Sequence, residues 1–370
     1  MSPGKGQSVL VVGAGIVGAA CAEALAGSGC AVTVLDGRFA GAGATAAGMG
    51  HLVVMDDSEA QLALTAASCR AWAERDLPAD CEREACGTLW VAADEEELAH
   101  AGKKAAVYRE RGLDAEILDA KSLAEAEPNL RPGLAGALRI PGDAVLYPPN
   151  AARALLVSAR RLGAEVREGV AAESVGKGRV ETREGTLHAD VVLVAAGAES
   201  TRLLPQLPVV PRKGHLVITD RYPGFVRHQL VELGYLKSAH TLTRESVAFN
   251  VQPRATGQLL VGSSRELVGW DSSVNRPLLA SMLRRVAEHL PGLAELSALR
   301  AWTGFRPATA DKLPLIGRWD EGLWVAAGHE GLGITTALAT GRLVADLLTG
   351  RPPELDPAPF DPRREMPAHG

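Results

Sequence analysis

Apolar positions along this chain follow two patterns, and the contrast predicts the architecture. Val9-Leu-Val-Val12 and Val191-Val-Leu-Val194 are unbroken apolar runs, the pattern of parallel strands buried on both faces. Ala31 to Leu35 and Leu323 to Ala326 read as further strands. Helical spacing and terminal signals predict helices over Ile16 to Ser28, Ser58 to Arg75, Asp94 to Arg111, Pro277 to His289, and from the Gly328–Thr336 turn to Leu348. A helix Ala151 to Leu162 is expected between an Asn150 N-cap and Gly163. Short strands are expected at Leu89 to Ala92, Glu116 to Leu118, Glu165 to Arg167, Arg179 to Arg183, Thr186 to Ala189, His215 to Thr219, Ser246 to Val251 and Gln258 to Gly262. Residues 123–150 are punctuated by Pro and Gly, and Gly350 to Gly370 reads as a proline-rich tail outside any core.

This order gives an α/β fold with an α+β portion: a Rossmann-like nucleotide domain with an inserted, mainly antiparallel substrate domain. At 370 residues the chain exceeds one ordinary core. The change of pattern assigns residues 1–80, 146–205 and 301–370 to the nucleotide domain. Residues 81–145 and 206–300 fall to the substrate domain.

Composition narrows the function more than the fold. Hydrophobic content of 46% and charged content of 22% suit a soluble globular enzyme. A net charge of −5, with no Lys/Arg cluster interleaved with aromatics, speaks against nucleic acid as a partner. The polar start of the chain and the glycine after Val12 do not resemble a signal peptide, and no run reads as a membrane span. Five cysteines without Cys-x-x-Cys spacing suggest reduced core thiols and no metal site. A cytoplasmic location is expected.

The chemistry begins at Gly13-Ala-Gly15-Ile-Val-Gly18. Between a strand and a helix, such glycines allow a tight turn, a close phosphate approach and close helix packing, while the helix N-terminus faces the pyrophosphate. Gly13, Gly15, Ile16, Val17 and Gly18 are therefore candidate cofactor residues. Asp36, closing the second strand, suits ribose hydroxyls and opposes a 2′-phosphate. The turn alone leaves NAD and FAD open. The loop Gly37 to Leu52 is so rich in Gly and Ala that backbone must approach something there. Ala44, Thr45, Gly48 and Met49 are candidate cofactor contacts, with His51 following. Gly197 permits another close approach, and Gly331-Leu332-Gly333-Ile334-Thr335 offers free amides at a helix start.

Contacts at both ends of the chain suit a long cofactor, FAD better than NAD. Here the sequence resembles the D-amino acid oxidase family of flavoproteins, which includes glycine oxidase, sarcosine oxidase and D-amino acid dehydrogenases. The resemblance spans nearly the whole chain. It rests on Gly13-x-Gly15-x-x-Gly18 with Asp36, Gly43-Ala-Thr45-Ala-Ala-Gly48-Met49, Val192 to Ser200, Pro211-Arg-Lys-Gly214-His, Gly304-Phe-Arg306-Pro through Asp311-x-x-Pro314-Leu-Ile-Gly317, and Gly328-His-Glu-Gly331-Leu-Gly333-Ile-Thr. The loop Ala44 to Ser58 is also similar to that of D-hydroxyproline dehydrogenases within the family.

The resemblance implies oxidation of an amino or imino acid, with hydride passing to flavin N5. It implies D-hydroxyproline or a D-proline-like substrate, with a glycine or sarcosine oxidase, or a flavin-bearing subunit of a multi-subunit dehydrogenase, as alternatives. Arg306 matches the family's substrate arginine and would clamp the carboxylate, although a structural ion pair is the plain alternative. His51 and His329 would orient substrate or tune the flavin, or simply be hydrogen-bonded loop histidines. Tyr235 falls where relatives carry a pocket aromatic. Relatives with covalent flavin use a cysteine near Gly304, and none stands here, so noncovalent FAD is expected. The arginine that some glycine-oxidising relatives carry in the Gly-His turn is replaced by Glu330-Gly-Leu, which argues against glycine. The electron acceptor would be oxygen or a quinone-type partner, the latter placing the protein at the inner membrane surface, and the chain could be a homo-oligomer.

Overall fold

The computed structural model describes residues 6–234 and 245–367. They form two compact units. The first takes the chain up to Cys81, Tyr147–Arg212, and everything from Phe305 onward. Its centre is a six-stranded sheet in the order Leu315–Asp320, Leu323–Ala327, Val191–Val194, Ser8–Val12, Ala31–Asp36, Glu165–Glu168. Neighbours run parallel except the outermost pair, Leu315–Asp320 against Leu323–Ala327. Val9 lies opposite Val191 on one side and Val32 on the other, so the apolar runs are fully flanked. Val192 and Leu35 are completely buried, each contributing roughly 1.5–3 kcal/mol. A small antiparallel sheet of Ala172–Gly176, Arg179–Thr182 and Gly185–His188 also belongs to this unit, as does the short strand His51–Leu52.

Two helices pack together beside the sheet: Ile16–Gly27 and the C-terminal Gly333–Thr349. Gly341 lets them touch, since a β-carbon there would meet the Ala20 carbonyl oxygen at 2.5 Å. The stretch Glu330–Thr349 is long and apolar enough to cross a membrane, which the linear reading overlooked, but 67% of its apolar window is buried inside the protein. Helix Glu59–Glu74 is capped by the Ser58 hydroxyl, which accepts the Gln61 amide at 3.2 Å.

Two expectations fail in this unit. The helix expected from Ala151 begins at Pro148 with Tyr147 as N-cap. Prolines suit a first turn because its amides have no intrahelical partner, and Asn150 instead donates its side-chain amide to the Asp80 carbonyl at 2.8 Å. The C-terminal segment is anchored, not loose. Arg364 donates to both Asp311 carboxylate oxygens (2.7 and 2.9 Å) and to the Leu313 carbonyl (2.7 Å), and Phe360 is buried.

The second unit, Glu82–Leu146 and Lys213–Gly304, is built on an eight-stranded sheet that is mostly antiparallel. Gln229–Glu232 and Thr88–Ala92 run parallel within it. Leu89, Leu230, Phe249, Val251 and Val261 form one apolar core with Met282 and Val286 of helix Arg276–His289. Gly136–Ile140 is a strand inside the segment expected to be irregular. Four of its five residues are buried, which removes the alternation that would have announced it. Buried Lys213 sits 3.2 Å from Glu266, whose other oxygen accepts from Asn275 at 2.7 Å, so this cation is neutralised within the fold.

Candidate functional site

The first unit gathers most of the residues selected from the sequence. Gly13 has φ 115°, and a β-carbon there would fall 2.5 Å from the Ala195 carbonyl oxygen. At Gly18 a β-carbon would lie 2.0 Å from the Gly13 carbonyl oxygen. The turn therefore tolerates no side chain at either position. Gly15 is an N-cap without a side-chain bond, and the first intrahelical bond runs from the Ala19 amide to the Gly15 carbonyl at 2.8 Å. The amides of Ile16, Val17 and Gly18 precede that ladder. Ile16 donates to the Thr45 hydroxyl at 3.0 Å, so Thr45 closes over the turn and keeps its own O–H to offer a ligand.

Asp36 is held rigidly. Its carboxylate accepts the Ala14 and Arg38 amides, each at 2.8 Å, with lone pairs remaining for ribose hydroxyls. Ala44 opens a short helix, Ala44–Ala47, that carries Thr45. Met49 is buried just beyond it. Gly48 brings this loop against the C-terminal helix, because a β-carbon there would lie 2.9 Å from Ile334 Cδ1. Gly197 opens a 3-10 turn two residues after Ala195, with nothing within 4 Å of where a β-carbon would stand. Such glycine-lined space beside a helix N-terminus and a ribose-type acid fits the nucleotide half of FAD.

The C-terminal turn lies close to the first. A β-carbon on Gly333 would lie 3.7 Å from Val17 Cγ2. The Leu332 amide donates to the His329 carbonyl at 2.9 Å, so the amides left over at this helix start are those of Gly333, Ile334 and Thr335. Thr335 is fully buried, and its hydroxyl donates to the His51 carbonyl at 2.9 Å. That bond fixes the backbone of strand His51–Leu52 to the same turn, with His51 half-buried. Trp72 was not selected from sequence, yet its indole N–H reaches the carbonyls of Ile334 and Thr335, each at 3.1 Å, and clamps the turn from behind.

Arg306 ends up against this turn. A β-carbon on Gly331 would lie 3.9 Å from Arg306 Cδ and Nε. Burial pulls the guanidinium's pKa below its usual value; Glu330 opposes that effect and Arg212 adds to it. The group nonetheless stays a cation at any ordinary pH. Arg212 and Glu330 were missed as site residues. The Arg212 guanidinium donates to Glu330 Oε1 at 2.8 Å, with side-chain exposures of 7% and 12%. Neither stands out in the sequence, since Arg212 is followed by Lys213 and His215 and Glu330 follows His329.

The Nε2 of His329 is 3.1 Å from the Thr340 hydroxyl, and burial pushes its pKa down to about 3. Of the two readings given for His329, the bond to Thr340 is that of an internally hydrogen-bonded histidine, and its ring is neutral. Tyr235 lies outside the described residues.

Comparison with known proteins agrees with this geometry. Residues 8–347 match the model of the FAD dependent oxidoreductase (DAO) family, and the chain belongs to that family. It is 31% identical to a glycine oxidase of Pseudomonas aeruginosa over 96% of this chain and 98% of that one. It is 32% identical to a D-amino acid dehydrogenase of Cereibacter sphaeroides, over 74% of this chain and 63% of the relative. Among solved structures, glycine oxidase from Geobacillus kaustophilus superposes with a TM-score of 0.86 at 29% identity, covering 98% of this chain and all (100%) of the other. L-proline dehydrogenase from P. horikoshii shares the fold, with a TM-score of 0.87 at 24% identity, covering 97% of each chain. The protein is an FAD-dependent amino-acid oxidoreductase acting on CH–NH or CH–NH2 donors.

Proposed function

We propose that this enzyme oxidises the Cα–N bond of a D-configured or cyclic imino acid, with D-hydroxyproline or a D-proline-like compound as substrate. The observation that carries the proposal is Arg306 held against Gly331, at the turn that begins the C-terminal helix. A guanidinium presents a planar two-bond fork to a carboxylate, so Arg306 would fix the substrate's acid end and thereby the direction of its Cα–H. Bound FAD supplies the two-electron acceptor for the hydride. The amides of Gly333, Ile334 and Thr335 and the helix dipole would favour negative charge placed at that end of the cofactor. His51, adjoining the same turn through the Thr335 bond, is assigned to orienting substrate. Gly13, Gly15, Val17, Gly18, Asp36, Thr45 and Gly197 are assigned to the nucleotide part of FAD, held without a covalent link.

The named activities of the relatives support the amino-acid class. The turn supports a substrate other than glycine, because Glu330-Gly-Leu stands where the resemblance places an arginine of some glycine-oxidising relatives. Steady-state rates with a dye acceptor test this, using cis-4-hydroxy-D-proline, D-proline, sarcosine, glycine and D-alanine. A kcat/KM at least tenfold higher for the D-prolines than for glycine is expected. Preference for glycine or sarcosine would replace the proposal with the oxidase alternative.

A further inference from the structure

Arg212 and Glu330 form a buried ion pair, and both act electrostatically on Arg306. Glu330 stands between the two cations in function: it accepts from Arg212 at 2.8 Å, and it immediately precedes the glycine against which Arg306 lies. The three side chains carry one net positive charge, which matches one substrate carboxylate. Arg212 is not saturated by Glu330, because its Nε is buried without a hydrogen-bond partner among the described residues. Buried donors are normally paired, so a spare guanidinium N–H here is a latent anion contact. Glu330 holds its position with φ 46°, in the left-handed region that a non-glycine residue seldom adopts. A residue kept there against backbone preference points to a role for its side chain.

We propose that Glu330 is a specificity-determining residue that restricts the site to monocarboxylates by occupying Arg212 and repelling a second substrate carboxylate. This rests on Arg306 as the carboxylate clamp. Discrimination here comes from a built-in repulsive group as much as from an attractive one. Removing the negative charge should convert the trio from one net positive charge to two and release Arg212 as a second clamp.

The test uses the purified holoenzyme and two matched probes, pyrrole-2-carboxylate and pyrrole-2,4-dicarboxylate, with binding followed by perturbation of the flavin spectrum and by calorimetry. The wild type should bind the monocarboxylate at least tenfold more tightly. Glu330→Gln should narrow or reverse that ratio by at least tenfold, through tighter dicarboxylate binding. Adding Arg212→Met to Glu330→Gln should abolish the gain while monocarboxylate binding persists. Glu330→Asn, better suited to the left-handed backbone, provides the same measurement should the glutamine variant fold poorly. An unchanged ratio in both Glu330 variants, or a gain that survives loss of Arg212, overturns the proposal. Arg306→Lys is run in parallel. If it leaves monocarboxylate binding intact, the clamp assignment fails and takes this inference with it; if it weakens that binding while Glu330→Gln does nothing, only the role of Glu330 is refuted.

Discussion

Replacing Arg306 by Ala removes the group on which substrate orientation depends, and the size of the effect follows from what the guanidinium can do. A bidentate contact to a carboxylate comprises two charge-assisted hydrogen bonds, each worth ~1.5–3 kcal/mol. Losing both costs about 3–6 kcal/mol, or roughly 10²–10⁴ in kcat/KM at ~1.36 kcal/mol per decade. The variant also takes the Arg212–Glu330–Arg306 trio from one net positive charge to none, so the remaining field no longer attracts a carboxylate. Arg306→Lys keeps the charge but not the planar fork, and should retain about a tenth of wild-type kcat/KM. The assay is steady-state oxidation of D-proline and cis-4-hydroxy-D-proline, with FAD content and melting temperature measured on the same preparations. Because the clamp fixes geometry as well as affinity, KM should rise and kcat should fall together. A variant that retains FAD, melts normally and oxidises both substrates with unchanged kcat/KM would refute the assignment.

Other perturbations probe the cofactor cradle and the supports behind it. Gly18→Ala places a methyl where a β-carbon would be 2.0 Å from the Gly13 carbonyl oxygen; the purified protein should be colourless or nearly so, read from the flavin-to-protein absorbance ratio. Trp72→Phe removes the indole donor to Ile334 and Thr335 and should cost about 1 kcal/mol of stability by denaturant unfolding. His329, with its folded-state pKa lowered from 6.5 to about 3, favours the folded protein only while the unfolded histidine is also neutral. As pH falls below about 6.5 the unfolded chain takes up a proton that the folded chain refuses, so stability drops by at most ~1.4 kcal/mol per pH unit down toward the folded pKa. His329→Gln should flatten that slope relative to wild type between pH 6.5 and 4, and parallel slopes would contradict the burial of a neutral ring. Acid precipitation should release FAD into the supernatant, whereas a yellow pellet would show a covalent bond.

Much of the first unit was legible because its signals are local. Val9 to Val12, the glycines from Gly13 to Gly18, and Asp36 lie within one βαβ stretch, and their spacing carries the physics directly. The C-terminal turn was equally readable from Gly331 and Gly333. Contacts between distant segments were not legible. No local pattern joins Arg212 to Glu330, since they meet only when strand and turn are brought together by the fold. Trp72 looks like an ordinary helix aromatic until its indole finds Ile334. His329 misled because a histidine beside glycine in a loop suits a ligand and an internal hydrogen bond equally, and only the fold shows its ring bonded to Thr340. The tail misled in the same way, its prolines concealing the Arg364 contacts that anchor it to Asp311. Strands such as Gly136–Ile140 escaped because burial on both faces erases the alternation that marks a half-buried strand.

The most direct test is anaerobic mixing of the purified yellow enzyme with cis-4-hydroxy-D-proline, following the flavin absorbance in a stopped-flow instrument. Amino-acid oxidation through the Arg306 clamp requires rapid, stoichiometric bleaching by this substrate, and bleaching slowed at least a hundredfold in Arg306→Ala, in line with the ~10²–10⁴ worked out above. An enzyme that carries FAD but is bleached by no amino or imino acid would contradict it.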